Sequence, residues 1–331
     1  MERALTAVLP NLDPTSYAPH RLHDQTRVWP ETNCYVDLWI ELLAALGHEP
    51  AAALGFTVTQ DFEGDQFTFF KFSPEDLDLL FGIGVQELAI YHRVETHVAE
   101  QIRRGRLPLV EADGYWLPDT QGLSYRTQHT KTTIAINRID CDGRLLEYFH
   151  NGGYYRLVGA DFDALFRRDA AALFPYVEFV KLGRRPPAGN PSLLAIDRLR
   201  FHLARRPAVN PLSAFQDRLE AAVERLGQSD GAAFHAYAFN TARQLGANFE
   251  LLAAHLDWLQ RCGGPRAGIA MAAAQRIAET AKAFQFQLAR AVVRKQGQAL
   301  MPVVARMAED YGRLMLDLDQ TFAGSCPAVP R

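Results

Sequence analysis

The spacing of hydrophobic positions changes near residue 190, and the two parts of the chain predict different structures. After that point Phe249, Leu252, Leu256 and Leu259 recur every three or four residues, which is typical of a helix with one buried face. Prolines, cap residues and glycines delimit further segments of this type. The predicted helices are 191–204, 211–226, 232–259, 266–294 and 301–322. We therefore expect an all-α helical bundle here.

Residues before 190 combine short apolar runs with helix signals. Runs on either side of Glu63-Gly64-Asp65 and of Cys141-Asp142-Gly143 each predict a β-hairpin. Ser73 followed by Pro74 is typical of a helix start. The predicted strands are 56–62, 66–72, 107–112, 132–139 and 144–149, and helices are expected from residues 74 and 94. These elements indicate an α+β domain with an antiparallel sheet.

A proline-rich segment at residues 184–191 separates the two parts and cannot form a regular helix. We expect two domains, residues 1–185 and 186–331. The formal charge changes in the same region, from −8 over residues 1–190 to +5 over residues 191–331. Either the two surfaces are simply solvated differently, or the basic helical part attracts an acidic partner.

Composition and motifs exclude several classes of protein. The 331 residues are 48% hydrophobic and 22% charged, which excludes intrinsic disorder. The sequence contains neither a dinucleotide-binding nor a P-loop glycine motif. Its apolar runs fall short of the roughly 20 residues of a membrane helix, and its first residues do not resemble a signal peptide. A pI of about 6.4 and the lack of lysine clusters disfavour nucleic-acid binding.

Cysteine usage predicts a reduced protein located in the cytoplasm. The four cysteines have none of the paired spacings of a disulfide framework or a zinc site. We therefore expect neither a metal nor a cofactor of its own. The cysteines are Cys34, Cys141, Cys262 and Cys326.

Cys34 is the candidate nucleophile, because it lies at the predicted start of a helix. Turn and cap residues extend from Pro30 to Asn33, and apolar positions follow from Val36 onward. The N-terminus of a helix stabilises a thiolate, and its free N–H groups can bind an oxyanion. Glu31 or Asn33, just before the cysteine, would line that oxyanion site. The alternative is an ordinary buried cysteine.

Two later segments offer partners for this cysteine. His129 comes just before the predicted strand 132–139, from where its ring can act as a base. The following strand ends in polar residues that can orient that ring. The order of cysteine, histidine and third polar residue is that of a papain-type site, and 95 residues separate Cys34 from His129. The alternatives are an exposed histidine at a strand end and a simple glycine turn.

The stretch of chain that contains these residues resembles the papain-like fold of the butirosin biosynthesis protein H family. The resemblance rests on Asn33-Cys34, Leu107-Pro108, Asp113-Gly114-Tyr115-Trp116-Leu117-Pro118 and His129. Members of that family resemble bacteriocin-processing cysteine peptidases in fold, and they transfer acyl groups from carrier-protein thioesters. The resemblance implies a papain-like first domain.

The same resemblance implies roles for single residues. Cys34 would be the nucleophile and His129 its base. Related peptidases usually have an aspartate at the end of the next strand, where this chain has none. Asn151 is therefore the preferred third catalytic residue, with His150 and Glu147 as alternatives, and Asp113 is a further candidate behind the site.

Nearly all of the chain also resembles the DUF1839 family, including residues 248–256 and 282–290. That resemblance implies an association with stand-alone amino acid:carrier protein ligases, and hence a carrier-protein partner. We expect an acyl or aminoacyl transferase that passes the group to a small-molecule or peptide acceptor. Phosphopantetheine would enter only as part of the carrier-protein substrate. The alternatives are a cysteine peptidase or amidase-like hydrolase, and a non-catalytic module that binds the carrier protein.

Overall fold

The computed structural model describes residues 7–166, 173–183 and 189–322, which form two compact units. The first unit comprises Met1–Asp24, Asn33–Pro50 and Ser73–Pro187, and the second comprises Gln25–Thr32, Ala51–Phe72 and Ala188–Arg331. Most of the segment predicted as the domain boundary, residues 184–188, lies outside the described residues.

Two segments that sequence analysis assigned to the first domain belong to the second unit. In the segment before Cys34, the indole Nε1 of Trp29 donates a hydrogen bond of 3.0 Å to the carbonyl oxygen of Ala278. In the segment 51–72, the rings of Phe62 and Phe67 pack against Phe215, with centroids 5.4 and 5.3 Å away. Burial of these aromatic rings stabilises the second unit.

The first unit contains a six-stranded antiparallel sheet in the order β1-β6-β2-β3-β4-β5. The prediction of an α+β fold with an antiparallel sheet is thereby confirmed. The central hairpin of β3 and β4 pairs Ile136 with Tyr148, and β2 pairs Leu109 with Ala135 of β3. The strands are β1 (Gly84–Glu87), β2 (Arg106–Asp113), β3 (Lys131–Asp140), β4 (Leu145–His150), β5 (Gly153–Val158) and β6 (Val177–Lys181).

Helices cover this sheet and carry its core. Helix α1 packs against β3, β4 and β5, whereas α3 packs against β2 and β3. Val98 of α3 is fully buried in a cluster with Val110, Ile134 and Tyr148 of the sheet. Ser73 caps α2 as predicted, because its hydroxyl accepts a hydrogen bond from the Asp76 amide. The helices are α1 (Cys34–Ala45), α2 (Pro74–Phe81), α3 (Val94–Arg103) and α4 (Ala160–Phe166).

The hairpin predicted over residues 56–72 is wrong. Residues Pro50–Thr59 form a 3-10 helix, and a single bridge joins Phe62 to Phe67. The hydroxyl groups of Thr57 and Thr59 donate to carbonyl oxygens three residues earlier, at 2.6 and 2.7 Å, which favours tight helical turns over an extended strand. The alternating aromatic residues mark burial in the second unit and not a sheet.

The second unit is helical, as predicted. Helix α9 packs against both α8 and α10. The segment predicted as one helix over 232–259 is interrupted by a π-helical turn at Phe239–Arg243. The structure describes no helix with the length and apolar character that spanning a membrane requires. The helices are α5 (Pro191–Leu203), α6 (Pro211–Leu226), α7 (Gly231–Ala238), α8 (Gln244–Arg261), α9 (Gly268–Arg294) and α10 (Met301–Phe322).

Candidate active site

Cys34 is the first residue of α1, where sequence analysis placed it. Asn33 caps the helix, since its side-chain oxygen accepts a hydrogen bond of 3.0 Å from the Val36 amide. The amide of Asp37 donates to the carbonyl oxygen of Asn33 at 3.0 Å and closes the first turn. The side chain of Cys34 is half-buried. Because Cys34 is the first residue of α1, its side chain lies beside the free N–H groups of the helix N-terminus.

The sulfur of Cys34 lies against the start of β3. Burial raises the pKa of the Cys34 thiol above its ordinary value. Hydrogen bonds from the Thr132 hydroxyl and from the amide and hydroxyl of Thr133 lower it, while the nearby Asp37 carboxylate raises it further. Because burial dominates, the resting group is a thiol and needs a base before it can act as a nucleophile.

Thr132 connects this thiol to a histidine. The Thr132 hydroxyl and Nε2 of His150 are 2.7 Å apart, and Nδ1 of the same ring lies 2.5 Å from Oδ2 of Asp119. The hydroxyl of Tyr148 donates to the other oxygen of Asp119 at 2.5 Å. Side chains of Thr132, His150 and Asp119 are almost completely buried. Hydrogen bonds run without a break from Thr132 through His150 to Asp119, and Thr132 lies near the Cys34 thiol.

The hydrogen-bond donors and acceptors in this chain have a definite order. A carboxylate only accepts, so in the neutral tautomer of His150 that fits this contact Nδ1 donates to Asp119. Nε2 is then left to accept a hydrogen bond from the Thr132 hydroxyl. The oxygen of that hydroxyl still has lone pairs that can accept the thiol proton of Cys34. One hydroxyl therefore links the thiol to an imidazole that a carboxylate orients.

His129, the predicted base, has different partners. Its Nδ1 lies 2.5 Å from Oδ2 of Asp113, and its ring stacks on Tyr115 with centroids 4.4 Å apart. The His129 side chain is 70% exposed, in contrast to the buried ring of His150. Among the described residues, the contacts of Cys34 join it to Thr132, Thr133 and Asp37, and those of His129 join it to Asp113 and Tyr115.

The candidates for the third residue also occupy distinct places. Asn151 has a positive φ of 46° and forms, with Gly152, the two-residue turn between β4 and β5. Glu147 is buried and binds Arg156 at 2.7 Å. His150, one of the alternatives, is the residue that reaches Thr132 and hence the surroundings of Cys34.

Three further predicted residues have other contacts. Asp113 binds His129 and also accepts a hydrogen bond of 3.0 Å from the Tyr115 amide. Glu31 lies 3.2 Å from Arg243 within the second unit. Asn33 uses its side-chain oxygen as the helix cap.

A second group of buried charges lies one helical turn from Cys34. The ring of His23 binds Asp37 at 3.2 Å through Nε2 and Glu41 through Nδ1. The hydroxyl of Tyr17 donates to Glu41 at 2.6 Å. Burial alone would lower the pKa of His23, but hydrogen bonds to and charges on Asp37 and Glu41 outweigh it and raise the pKa to about 9. His23 is therefore an imidazolium at neutral pH.

Sequence reasoning missed Thr132, Asp119 and His23. Thr132 is one of two adjacent threonines in a strand pattern, and threonine is common in strands. Asp119 lies in the short 3-10 helix Pro118–Thr120, and in a sequence an aspartate after a proline usually indicates only a turn. His23 precedes the helix by eleven residues and carries no motif. The one available signal was His150, whose position at a strand end was already noted.

Two protein-family models together match most of the chain. Residues 18–182 match the model of the DUF1839 N-terminal domain, and residues 192–320 match that of the DUF1839 C-terminal domain. The site between His23 and Gly152 lies within the first match. A comparison with curated proteins returns no match.

Proposed function

This chain belongs to the DUF1839 family, and we propose that it is a cysteine-dependent acyltransferase with a papain-like first domain. Cys34 accepts an acyl or aminoacyl group from a carrier-protein thioester and passes it to a small-molecule or peptide acceptor. The observation that supports this proposal is the buried hydrogen-bonded series of Thr132, His150 and Asp119 beside the half-buried thiol of Cys34. Thiol, imidazole and carboxylate are the groups that nucleophilic acyl transfer requires.

The first half-reaction forms an acyl-enzyme. The thiol proton of Cys34 moves to the Thr132 oxygen as the hydroxyl proton of Thr132 moves to Nε2 of His150. The sulfur attacks the thioester carbonyl carbon, and N–H groups at the start of α1 stabilise the oxyanion. The bond from that carbon to the carrier sulfur then breaks, and the proton held by His150 passes through the Thr132 hydroxyl to the departing thiolate. Asp119 orients the ring throughout.

The second half-reaction releases the acyl group. An amine or hydroxyl of the acceptor attacks the acyl carbon of the Cys34 thioester, and the acceptor's proton passes through the Thr132 hydroxyl to Nε2 of His150. The bond from carbon to the Cys34 sulfur breaks, and the proton returns to that sulfur through Thr132. Overall the acyl group moves to the acceptor, and the carrier gains a free thiol.

Charge and cysteine chemistry support the proposed partner and compartment. Residues 191–331 carry a formal charge of +5, which favours an acidic carrier protein as the partner. Transfer from one thioester to another suits a cysteine because donor and intermediate are close in energy. We propose the cytoplasm as the compartment, because Cys34, Cys141 and Cys262 are free thiols and the cytoplasm keeps cysteines reduced.

Intact mass spectrometry tests the first half-reaction. The enzyme is mixed with a phosphopantetheinyl carrier protein loaded with an amino acid, without acceptor, and the adduct is mapped to a peptide. We expect an adduct on Cys34, none in Cys34→Ala, and an unchanged adduct in Cys262→Ala, which removes an exposed cysteine. An adduct that persists in Cys34→Ala, or none in the wild type across a panel of loaded carriers, would refute the proposal.

Two histidine variants identify the base. We expect His150→Gln to slow adduct formation by at least about 100-fold, the usual contribution of a general base, and His129→Gln to have little effect. The reverse result would support the base predicted from sequence and contradict the role of His150.

A hydrolase is the second candidate, and one observation favours it. The order of Asp119, His150 and Thr132 is that of the carboxylate, imidazole and hydroxyl in serine hydrolases. In that case Thr132 would be the nucleophile and water the acceptor. An adduct on the peptide containing Thr132, retained in Cys34→Ala, together with release of free acid, would support this candidate over the transferase.

A further inference from the structure

His23 joins the two elements that carry the candidate site. On one side, its ring binds Asp37 and Glu41 of α1, the helix that begins with Cys34. On the other side, the ring packs on Gly152 in the turn that directly follows His150. A Cβ atom at Gly152 would lie only 2.9 Å from Cγ of His23. The absence of a side chain at Gly152 therefore allows this close approach.

The charged and polar groups around His23 come from helix α1 and from the segment before it. Asp37 and Glu41 on α1 are 1% and 0% exposed, and His23 is 6% exposed. The segment before α1 contributes the Tyr17 hydroxyl and the His20 amide, which both donate to Glu41. The ring of His20 also faces Glu49, with 3.8 Å between Nε2 of His20 and Oε1 of Glu49.

The position of the carboxylates relates this group to Cys34. Residues 34, 37 and 41 recur at intervals of three and four, so they share one face of α1. The Asp37 carboxylate is close enough to disfavour the Cys34 thiolate. A buried ion pair often stabilises a protein no better than apolar side chains of similar volume would, so stability alone gives no reason to place three ionisable groups here.

We propose that His23 is a positioning residue of the Cys34 site. Its charge neutralises Asp37 one helical turn from the sulfur, and its ring fixes the turn that follows His150. His23 acts through Asp37 and Gly152 and does not touch the substrate. The proposal rests on the proposed function, since it concerns the same cysteine, but its test requires no acyl donor.

The pH dependence of Cys34 alkylation tests this role. Iodoacetamide is added to the full-length protein between pH 6 and 10, and the rate is followed on the peptide that contains Cys34. We expect His23→Gln to react about tenfold more slowly at pH 8, which corresponds to one unit in the pKa of the thiol. His202→Gln is the matched control, because His202 is buried to a similar extent, at 7% exposed, in the second unit.

A double variant separates the electrostatic role from a structural one. If the Asp37 carboxylate, no longer neutralised by the charge of His23, slows alkylation in His23→Gln, then His23→Gln with Asp37→Asn recovers the wild-type alkylation rate at pH 8. Equal pH profiles for wild type and His23→Gln would overturn the proposal, and so would a double variant as slow as His23→Gln.

Asp37→Asn alone keeps the proposal testable if His23→Gln does not fold. We expect this variant to react faster than wild type at pH 8, since it removes the negative charge near the sulfur. An unchanged rate would overturn the proposal. A normal alkylation profile in wild type without any acyl adduct would refute the acyltransferase and leave the role of His23 intact, so the two failures are distinguishable.

Discussion

At the scale of residues, the candidate site depends on one hydroxyl group. Thr132 is the group that links the half-buried thiol of Cys34 to the ring of His150, at 2.7 Å from Nε2. A hydroxyl has one proton and accepts another, so it can pass a proton in either direction without leaving its place. Burial of both His150 and Asp119 keeps competing water away from these hydrogen bonds.

Substitution of Thr132 tests this link. Thr132→Val keeps the shape but removes the hydroxyl, and we expect it to slow formation of the Cys34 adduct by about 100-fold or more. Thr132→Ser retains the hydroxyl and is expected to stay within about tenfold of wild type. Single-turnover kinetics with a loaded carrier protein measure both rates. Similar rates for valine and serine variants would show that the proton takes another path.

His23 predicts a specific dependence of stability on pH. Its pKa in the folded protein is raised to about 9 from an ordinary value of about 6.5, so folding favours the protonated ring. The resulting stabilisation, on the order of 3 kcal/mol, is complete below about pH 6.5 and is lost as the pH rises toward 9. Urea unfolding at pH 6, 7.5 and 9 should show a stability difference between wild type and His23→Gln that shrinks with pH. A constant difference would mean that the ring is not charged.

At the scale of elements, the N-terminal cap of α1 determines where the sulfur lies. Asn33 is 1% exposed, and its side chain accepts the hydrogen bond from the Val36 amide. We expect Asn33→Ala to lower the free energy of unfolding by about 1 kcal/mol and to change the rate of Cys34 alkylation. Ser73→Ala is the matched control, because it removes the cap of α2. Ser73→Ala should lower the free energy of unfolding without changing the rate of Cys34 alkylation. Equal alkylation rates in the two variants would contradict the link between the cap of α1 and the thiol.

Elements with strong local signals could be predicted from the sequence, and contacts between distant residues could not. The start of α1 at Cys34 follows from turn residues before an apolar run, and the β3–β4 hairpin follows from its alternation and turn. The chemistry around Cys34 depends on register, because pairing of β3 with β4 brings Thr132 to His150. Asp119 lies in the short 3-10 helix Pro118–Thr120, whose sequence has no periodic pattern. The incorrect prediction of a hairpin over residues 56–72 has the same cause. The aromatic residues of this segment pack in the second unit, whereas the sequence pattern assigned them to the first domain.

At the scale of the whole molecule, charge predicts how a carrier protein would associate. Residues 191–331 carry +5, and the segments 25–32 and 51–72 add two basic and four acidic residues, so the second unit carries +3. An acidic carrier protein would be attracted over about 10 Å, and added salt would screen that attraction. We expect the second-order rate of Cys34 acylation to fall by about threefold between 50 and 300 mM NaCl, whereas alkylation by uncharged iodoacetamide should not change. A rate of acylation that is independent of salt would mean that the carrier protein docks without help from this charge, and the net positive charge of the second unit would then have only a solvating role.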